Sequence, residues 1–346
     1  MKKTISAILA FAMLLSSCGA EKSSDSKAAS KSYSSEPVTE NSENTNENAA
    51  EESAKNEEAS ESDTVKESIF SDPYATENVY HIDETMFEKR EGVDYGTIIE
   101  DAEYFSTTAD DYKQCNIQLP AGYDEKETYP VMYIIHGWGG SHSDQISEDS
   151  YLTILYSNML AEGLCEPMIL VNVDMYTDKQ ALKADTKEEK LRYAYDKVID
   201  DIGTDVMPFI QENYPVKKGR EYTAVAGMSQ GGSESLATGF QWLDKIGWIG
   251  SFAPDPGVIP TEFYKGTYWN TPYFEAFPTP DETNTPYYLY LSVGTDDPWN
   301  VDVTRYYAEV LDDMGVQNQT DVVDGFEHGY IFWRICFYNF LTKAFR

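Results

Sequence analysis

The sequence predicts an α/β domain in which a mostly parallel central sheet carries helices on both faces. Two regularities along the chain predict it. Apolar runs short enough to be strands buried on both sides lie at residues 131–135, 168–173, 222–226 and 287–293. Segments with helical patterning lie between and after them, at residues 151–162, 198–212, 301–314 and 330–344. Strands that alternate with helices in this way are typical of parallel sheets.

The remaining segments of the domain are predicted to be edge strands and one long insertion. Residues 97–105 and 114–119 should form an antiparallel edge, and residues 320–323 a strand before the last helix. Residues 252–286 are rich in aromatic residues and proline without helical period, as lids and binding loops often are. Tyr268 and Trp269 in this insertion are predicted to bind substrate, with an aromatic mini-core under the loop as the alternative.

The N-terminal residues 1–18 are predicted to be a lipoprotein signal peptide. Two lysines precede an apolar stretch at residues 5–15, which is too short to span a bilayer as a mature helix. It ends in L-S-S-C, which resembles the lipobox of bacterial lipoproteins and implies lipidation of Cys18. A plain signal peptide with an incidental cysteine is the alternative. Two acyl chains on one residue suffice for stable anchoring, so we expect an extracytoplasmic protein on a bacterial cell envelope.

Composition separates a linker at residues 19–75 from a folded domain at residues 76–346. The linker consists mainly of Ser, Glu, Asn, Ala and Lys, which cannot bury enough apolar surface to offset the entropy of ordering. The net charge of the chain is −34, and most of the acidic excess lies in the domain. This charge argues against binding nucleic acid or an anionic bilayer surface, and it is compatible with a neutral carbohydrate substrate.

A G-x-S-x-G motif, with Ser229 at its centre, directly follows the apolar run 222–226. At the end of a buried strand this motif is the nucleophile elbow of the α/β-hydrolases, in which a sharp strand-to-helix turn exposes the serine hydroxyl. An ordinary glycine-rich turn is the alternative for the motif alone. The small residues at 232–237 predict a closely packed helix and favour the elbow. The predicted fold class is therefore the α/β-hydrolase fold, with Ser229 as its nucleophile.

A serine nucleophile needs an adjacent base, which is oriented by a third group. The chain has four histidines, and only His328 follows Ser229 in the order serine, acid, histidine that this fold uses. The acid is expected on the loop after the fourth apolar run, where Asp296 and Asp297 are adjacent. Spacing alone does not separate these two aspartates, and Asp255 is the reserve candidate.

An oxyanion hole needs backbone N–H donors aimed at the charge that develops on the substrate oxygen. One donor is expected at Gln230, immediately after the nucleophile. The second is expected in the segment H-G-W-G-G at residues 136–140, which follows the first apolar run and resembles the HGGG-type segment of esterases. His136 should brace this loop, and both His136 and Gly137 are predicted to take part in substrate binding.

In combination these motifs resemble the esterase D superfamily, and within it the first carbohydrate-esterase family, which contains bacterial feruloyl and acetyl xylan esterases. The matching segments are L-P-A-G-Y at 119–123, Y-P-V-M-Y-I-I-H-G at 129–137, A-G-M-S-Q-G-G at 226–232, G-T-D-D at 294–297 and E-H at 327–328. The resemblance implies Ser229 as nucleophile, His328 as base, Asp297 as acid, and the amides of Trp138 and Gln230 as the oxyanion hole.

The resemblance also implies a function. It implies a serine esterase that removes feruloyl or acetyl groups from plant cell-wall polysaccharides such as xylan through an acyl-enzyme. No metal or organic cofactor is expected, because the histidines are dispersed and form no cluster with carboxylates. Two alternatives remain: an esterase or acyltransferase for another acyl ester, such as a siderophore ester, or a non-catalytic module that binds glycans. The insertion at 255–286 is longer than the family pattern and leaves the acyl specificity open.

Overall fold

The structure, a computed structural model, is described here for residues 73–76, 82–178, 193–265 and 271–346. In these residues nine strands form one sheet. They are β1 (Ala75–Thr76), β2 (Thr97–Ser106), β3 (Asp111–Leu119), β4 (Val131–Ile135), β5 (Ile169–Val173), β6 (Thr223–Met228), β7 (Trp248–Phe252), β8 (Tyr288–Gly294) and β9 (Gln319–Val323).

The sheet is mostly parallel, as the sequence predicts. Its strand order is β1-β9-β8-β7-β6-β4-β5-β3-β2. Only β2 with β3, and β3 with β5, pair antiparallel, so the predicted antiparallel edge is confirmed. Parallel strands all end at the same side of the sheet, and residues that follow β4, β6, β8 and β9 therefore meet at one edge.

Helices cover both faces of this sheet. They are α1 (Tyr151–Ala161), α2 (Val198–Asp201, continued by a π-helical stretch Ile202–Val206 and by Met207–Asn213), α3 (Gln230–Gln241), α4 (Val301–Asp313) and α5 (Tyr330–Leu341). Short 3₁₀ turns lie at Glu84–Phe87 and Arg220–Tyr222. Apolar residues of α2, α3 and α4 form one core, and those of α1 and α5 belong to the other.

Strand β4 shows why the central strands have unbroken apolar sequences. All five of its residues are buried. Val131, Tyr133 and Ile135 point into the core under α2, α3 and α4, whereas Met132 and Ile134 point into the core under α1 and α5. Alternate side chains of a strand face opposite sides, so a sheet covered on both sides demands apolar residues at every position.

The structure adds two strands that the sequence pattern does not reveal. Strand β7 contains two small residues, Gly250 and Ser251, which dilute its apolar character. A Cβ at Gly250 would lie 3.1 Å from the Cβ of Ala226 on β6, closer than most Cβ atoms approach a neighbour, so the contact favours glycine. Strand β1 is only two residues long and pairs with β9 through Ala75 and Val322. The sheet thus begins one residue before the predicted domain boundary at residue 76.

The predicted insertion lies between β7 and β8. Its described residues, 253–265 and 271–287, contain turns and bends but no helix or strand. Phe277 is buried, with its ring 4.8 Å from that of Phe240 on α3. Tyr264 lies at the surface, on the same side as Ser229. The insertion therefore combines an anchoring mini-core with a wall of the candidate site.

Two groups of sequence predictions fall largely or wholly outside the described residues. The signal peptide, the lipidated Cys18 and nearly all of the linker precede residue 73, and Tyr268 and Trp269 lie in the range 266–270.

Within the described residues no helix is both long and apolar enough to cross a membrane. The three described cysteines, Cys115, Cys165 and Cys336, are free and buried. Burial raises the pKa of Cys115 and Cys165 to about 12, so both stay protonated at neutral pH.

Candidate active site

Ser229 occupies a strained turn between β6 and α3. Its φ of 57° and ψ of −128° lie in a region that residues with a Cβ rarely adopt. The chain reverses so sharply here that the flanking glycines are sterically required. A Cβ on Gly227 would lie 2.1 Å from the carbonyl oxygen of Gly231, and a Cβ on Gly231 would lie 2.3 Å from that of Ile135. The G-x-S-x-G motif therefore presses the start of α3 against the end of β4.

His328 joins Ser229 to Asp297 across loops that follow three different strands. The Nε2 atom of His328 lies 2.9 Å from the Oγ of Ser229, and its Nδ1 lies 2.6 Å from Oδ2 of Asp297. Asp297 is almost fully buried, with 1% of its surface exposed. Its other oxygen, Oδ1, accepts the backbone N–H groups of Trp299 and Asn300 at 3.1 Å each. The carboxylate is thus held by three donors, and it in turn fixes the imidazole.

The geometry distinguishes Asp297 from its two competitors. Asp296 is exposed, and its carboxylate accepts a hydrogen bond from the hydroxyl of the preceding Thr295 at 3.3 Å. Asp255 accepts a hydrogen bond from Nδ2 of Asn300 at 2.8 Å, whereas Asp297 is the aspartate hydrogen-bonded to His328. The turn that buries Asp297 leads directly into α4, so one carboxylate holds both the backbone just before this helix and the histidine.

His136 is enclosed in the protein beside the elbow. Its side chain has no exposed surface. Its Nε2 accepts the backbone N–H of Met175 at 3.0 Å, which assigns the proton to Nδ1, and Nδ1 lies 2.8 Å from the carbonyl oxygen of Gly137. The predicted bracing of the loop agrees with this placement. Both ring nitrogens are bound to backbone, so the structure gives His136 a bracing position, and its predicted part in substrate binding stays a prediction.

A buried ion pair supports the loop that holds His136. Lys113 on β3 donates to Oδ2 of Asp201, to Oγ1 of Thr177 and to the carbonyl oxygen of Asp174, at 2.7, 2.8 and 2.8 Å. All three donors of the ammonium group are therefore used, as a buried charge requires. These contacts fix the segment that presents the N–H of Met175 to His136.

Two cavities meet at Ser229, His328 and Trp138, which line both. The first, of about 310 Å³, we call the aromatic cavity; it is completed by Asp255, Pro256, Tyr264, Trp299 and Asn300. The second, of about 350 Å³, we call the glycine cavity; it is completed by Gly137, Gly139, Gly140, Asp144, Tyr330 and Trp333. Of the predicted substrate-binding residues, Gly137 lines a cavity, and a Cβ there would lie 3.5 Å from that of Ser229.

Aromatic side chains surround the imidazole of His328. The rings of Trp299 and Trp333 meet it edge-on, with centroids at 5.6 and 5.1 Å. Tyr264 and Tyr330 extend the two cavity walls, and burial raises the pKa of both phenols above the usual range. Both hydroxyls therefore stay protonated at neutral pH, and that of Tyr264 donates to the backbone carbonyl oxygen of Trp299 at 2.9 Å. Sequence reasoning missed these four residues, although Trp299, Tyr330 and Trp333 lie within five positions of Asp297 or His328.

The described residues offer no group of three or more His, Cys, Asp or Glu side chains that could hold a metal ion. The site instead combines a serine, a histidine and a buried carboxylate with two adjoining cavities, at the carboxyl edge of a mostly parallel sheet. This fold and this site define an α/β-hydrolase. The sequence model of the Esterase family matches residues 106–331, and the chain belongs to that family.

Comparison with known proteins confirms the resemblance to the first carbohydrate-esterase family. A ferulic acid esterase of that family from Anaeromyces mucronatus, solved with ferulic acid, is 30% identical with a TM-score of 0.69. The match covers 76% of this chain and 96% of that one. An endo-1,4-beta-xylanase/feruloyl esterase of Xylanibacter ruminicola is 24% identical over 76% of this chain. The match spans only 33% of the length of that protein.

An enterochelin esterase from Shigella flexneri shares the fold alone. It is 14% identical with a TM-score of 0.53, over 71% of this chain and 58% of that one.

Proposed function

We propose that this protein is a serine esterase that hydrolyses feruloyl esters on plant cell-wall polysaccharides such as xylan. One observation carries the proposal: Ser229, hydrogen-bonded to His328, opens onto a cavity walled by Trp138, Pro256, Tyr264 and Trp299. The similarity to ferulic acid esterases supports the same acyl group. The acidic surface is compatible with a neutral polysaccharide partner and unfavourable for a polyanionic one.

The hydrogen-bond chain supplies the proton transfers that this reaction needs. His328 Nε2 takes the proton from Ser229 Oγ as the oxygen attacks the ester carbonyl, and then gives it to the leaving alkoxide. Asp297 Oδ2 accepts the Nδ1–H of His328, which keeps Nε2 free of a proton in the resting state. Water then repeats the sequence on the acyl-enzyme and releases the acid. The three protein groups that move or hold the proton already lie within hydrogen-bond distance of one another.

The two proposed oxyanion donors follow from local backbone geometry. Helix α3 begins at Gln230, and the first N–H groups of a helix have no acceptor within it. The Trp138 N–H belongs to the same peptide unit as the Gly137 carbonyl, which accepts from His136 Nδ1 and from the N–H of Gly140. In a trans peptide the N–H points opposite to the C=O. His136 therefore turns the Trp138 N–H away from itself, toward the cavity side.

A positioning role for His136 predicts a split between kcat and KM. His136→Leu removes the donor to Gly137, and we expect kcat to fall by about 10- to 100-fold with a smaller change in KM. His136→Asn can place an amide donor near the former Nδ1 and should retain more of kcat than the leucine variant. Steady-state kinetics on a soluble ester, with thermal unfolding of both variants, checks this. Equal kcat losses in the two variants, or a loss confined to KM, would contradict the role.

The aromatic cavity favours a feruloyl over an acetyl group. An acetyl group would leave most of its 310 Å³ unfilled, whereas a planar aromatic acyl chain would bury apolar surface against Tyr264 and Trp299. Asp255 and Asn300 add polar atoms to the same wall, which suit the phenol and methoxy substituents of a ferulate ring. The preference therefore follows from the size and the lining of one cavity.

A panel of methyl ferulate, methyl acetate, acetylated xylan and short nitrophenyl esters tests the acyl preference. We expect kcat/KM for methyl ferulate to exceed that for methyl acetate, which has the same leaving group, by at least about tenfold, which corresponds to about 1.4 kcal/mol of extra transition-state binding. Release of acetate alone would move the function to acetyl xylan esterase. A folded protein that hydrolyses none of these esters, and is not labelled by a fluorophosphonate, would instead be a glycan-binding module.

We also propose that the enzyme is tethered to the bacterial envelope through lipid on Cys18, with residues 19–75 as a spacer. The apolar run and the lipobox-like sequence support this placement. Cys18→Ser should release the esterase into the culture medium, whereas the wild type should sediment with membranes. Immunoblots of both fractions measure the difference. Unchanged membrane retention of the serine variant would exclude the cysteine as the anchor.

A further inference from the structure

The glycine cavity adjoins the reacting atoms but is not needed for the acyl group. An ester has two halves, and Ser229 attacks the carbon between them, so each half requires space on its own side of the serine. Both cavities contact Ser229 and His328. We infer that the glycine cavity binds the sugar that carries the ester, with Asp144 and Tyr330 as its specificity-determining side chains. This inference rests on the proposed function, which assigns the acyl group to the aromatic cavity.

The walls of the glycine cavity suit a polyhydroxylated ring. Three of its lining residues are glycines, at positions 137, 139 and 140, so backbone amide and carbonyl groups rather than side chains form that side. Asp144 contributes a carboxylate, whose Oδ1 accepts the hydroxyl of Ser141 at 2.9 Å. Its Oδ2 lies beside Gly140, within 2.5 Å of where a Cβ would be. A carboxylate held in this way accepts sugar hydroxyls well, whereas it would be a poor partner for an apolar acyl chain.

The opposite wall provides an aromatic surface. Tyr330 begins α5 two residues after His328, and 54% of its surface is exposed. Its ring packs edge-on against Trp333, with centroids 5.0 Å apart, and against Tyr151 at 5.8 Å, so it is held in place although it is exposed. An exposed ring fixed by its neighbours offers contact area with little loss of side-chain entropy.

A polar atom of the same wall also lacks a partner. Trp333 is 8% exposed, and its Nε1 has no hydrogen-bond acceptor among the described residues. Buried donors are normally satisfied, but this atom has almost no accessible surface, so we assign it no part in sugar binding.

The position of His328 between the two cavities agrees with this assignment. The proton on Nε2 must reach the oxygen of the leaving alcohol as the C–O bond breaks, and the electron pair of that bond stays on the alcohol oxygen. Trp333, from the glycine cavity, packs on the imidazole at 5.1 Å. A sugar seated on Tyr330 and Trp333 therefore has its ester oxygen on the histidine side, next to the proton donor. Contacts with the rest of the sugar can then stabilise the transition state for a sugar ester more than the transition state for the ester of a simple alcohol.

Two substrates that share the acyl group isolate the contribution of the sugar. We compare kcat/KM for a feruloylated arabinoxylan oligosaccharide with kcat/KM for methyl ferulate, and use their ratio as the readout. Asp144→Ala and Tyr330→Ala should each lower this ratio by about tenfold, since each removes a contact that only the sugar makes. The ratio cancels any general loss of active enzyme, so partial misfolding of a variant does not imitate the effect.

The chain offers a matched control for each variant. Glu148→Ala removes an exposed carboxylate four residues after Asp144 that lines neither cavity, and Ile331→Ala shortens the exposed neighbour of Tyr330 that also lines neither. Both controls should keep the wild-type ratio within twofold. The inference is overturned if the ratio also stays within twofold in Asp144→Ala and Tyr330→Ala. A wild type that cleaves neither feruloyl substrate contradicts the proposed function itself, which is a separate result.

Discussion

Replacing Ser229 with alanine should lower kcat for methyl ferulate by about 10⁴-fold or more while KM changes little. The expected size follows from the loss of covalent catalysis, after which only the oxyanion donors and substrate binding act on attack by water. KM should hold because the cavity walls that bind the acyl group are untouched. Stability should also hold, because alanine carries the same Cβ into the strained φ of 57° and leaves that strain unchanged. Steady-state kinetics and a denaturant titration measure these two quantities.

Ser233 provides the comparison for this variant. It lies one turn further along α3, and its hydroxyl donates to the carbonyl oxygen of Asp255 at 3.0 Å. Ser233→Ala should keep kcat within about threefold, because its hydroxyl bonds the backbone carbonyl of Asp255 and none of the atoms that react. A fluorophosphonate should label the wild type and Ser233→Ala but not Ser229→Ala. Labelling of the Ser229 variant at wild-type rate would place the nucleophile elsewhere and remove the basis of the proposed mechanism.

The order of strands and helices was largely predictable from the sequence, because a strand buried on both faces has an unbroken run of apolar residues. Strand β4 demands apolar residues at all five positions, and its bounds are those of the apolar run 131–135. Strand β7 was not predicted, since its close approach to β6 favours Gly250, which interrupts the apolar pattern. The need for a small residue at such a contact comes from a neighbour that is distant in sequence, so the local sequence pattern does not predict it.

The candidate site was likewise only partly predictable from the sequence. Serine and histidine follow from motif and chain order, because only one histidine comes after Ser229. The choice between Asp296 and Asp297 required coordinates, since adjacent residues of a turn point in different directions and spacing cannot say which faces the histidine. The cavity walls required coordinates too. Tyr264 comes from the insertion and Trp299 from the start of α4, and only the folded chain brings them to one wall.

Exchanging the two adjacent aspartates for asparagine should separate their roles by about three orders of magnitude. In Asp297→Asn the side-chain oxygen can still accept the N–H groups of Trp299 and Asn300, which turns the amide NH₂ toward His328. Nδ1 must then accept rather than donate, so the proton sits on Nε2 and cannot be taken from Ser229. We expect kcat to fall by about 10³- to 10⁴-fold, with a change in unfolding free energy of no more than about 2 kcal/mol.

Asp296→Asn is the matched control, since it makes the same chemical change one residue away on an exposed side chain. Among the described residues its carboxylate is hydrogen-bonded to the Thr295 hydroxyl and not to His328, so kcat should stay within about threefold of wild type. Steady-state kinetics at saturating methyl ferulate compares the variants, and thermal unfolding shows that both are folded. If the Asp296 variant lost as much kcat as the Asp297 variant, charge at this loop rather than the orientation of His328 would govern the rate. If Asp297→Asn retained wild-type kcat, the imidazole would need no carboxylate, and the hydrogen-bond chain from Asp297 to Ser229 would have no catalytic role.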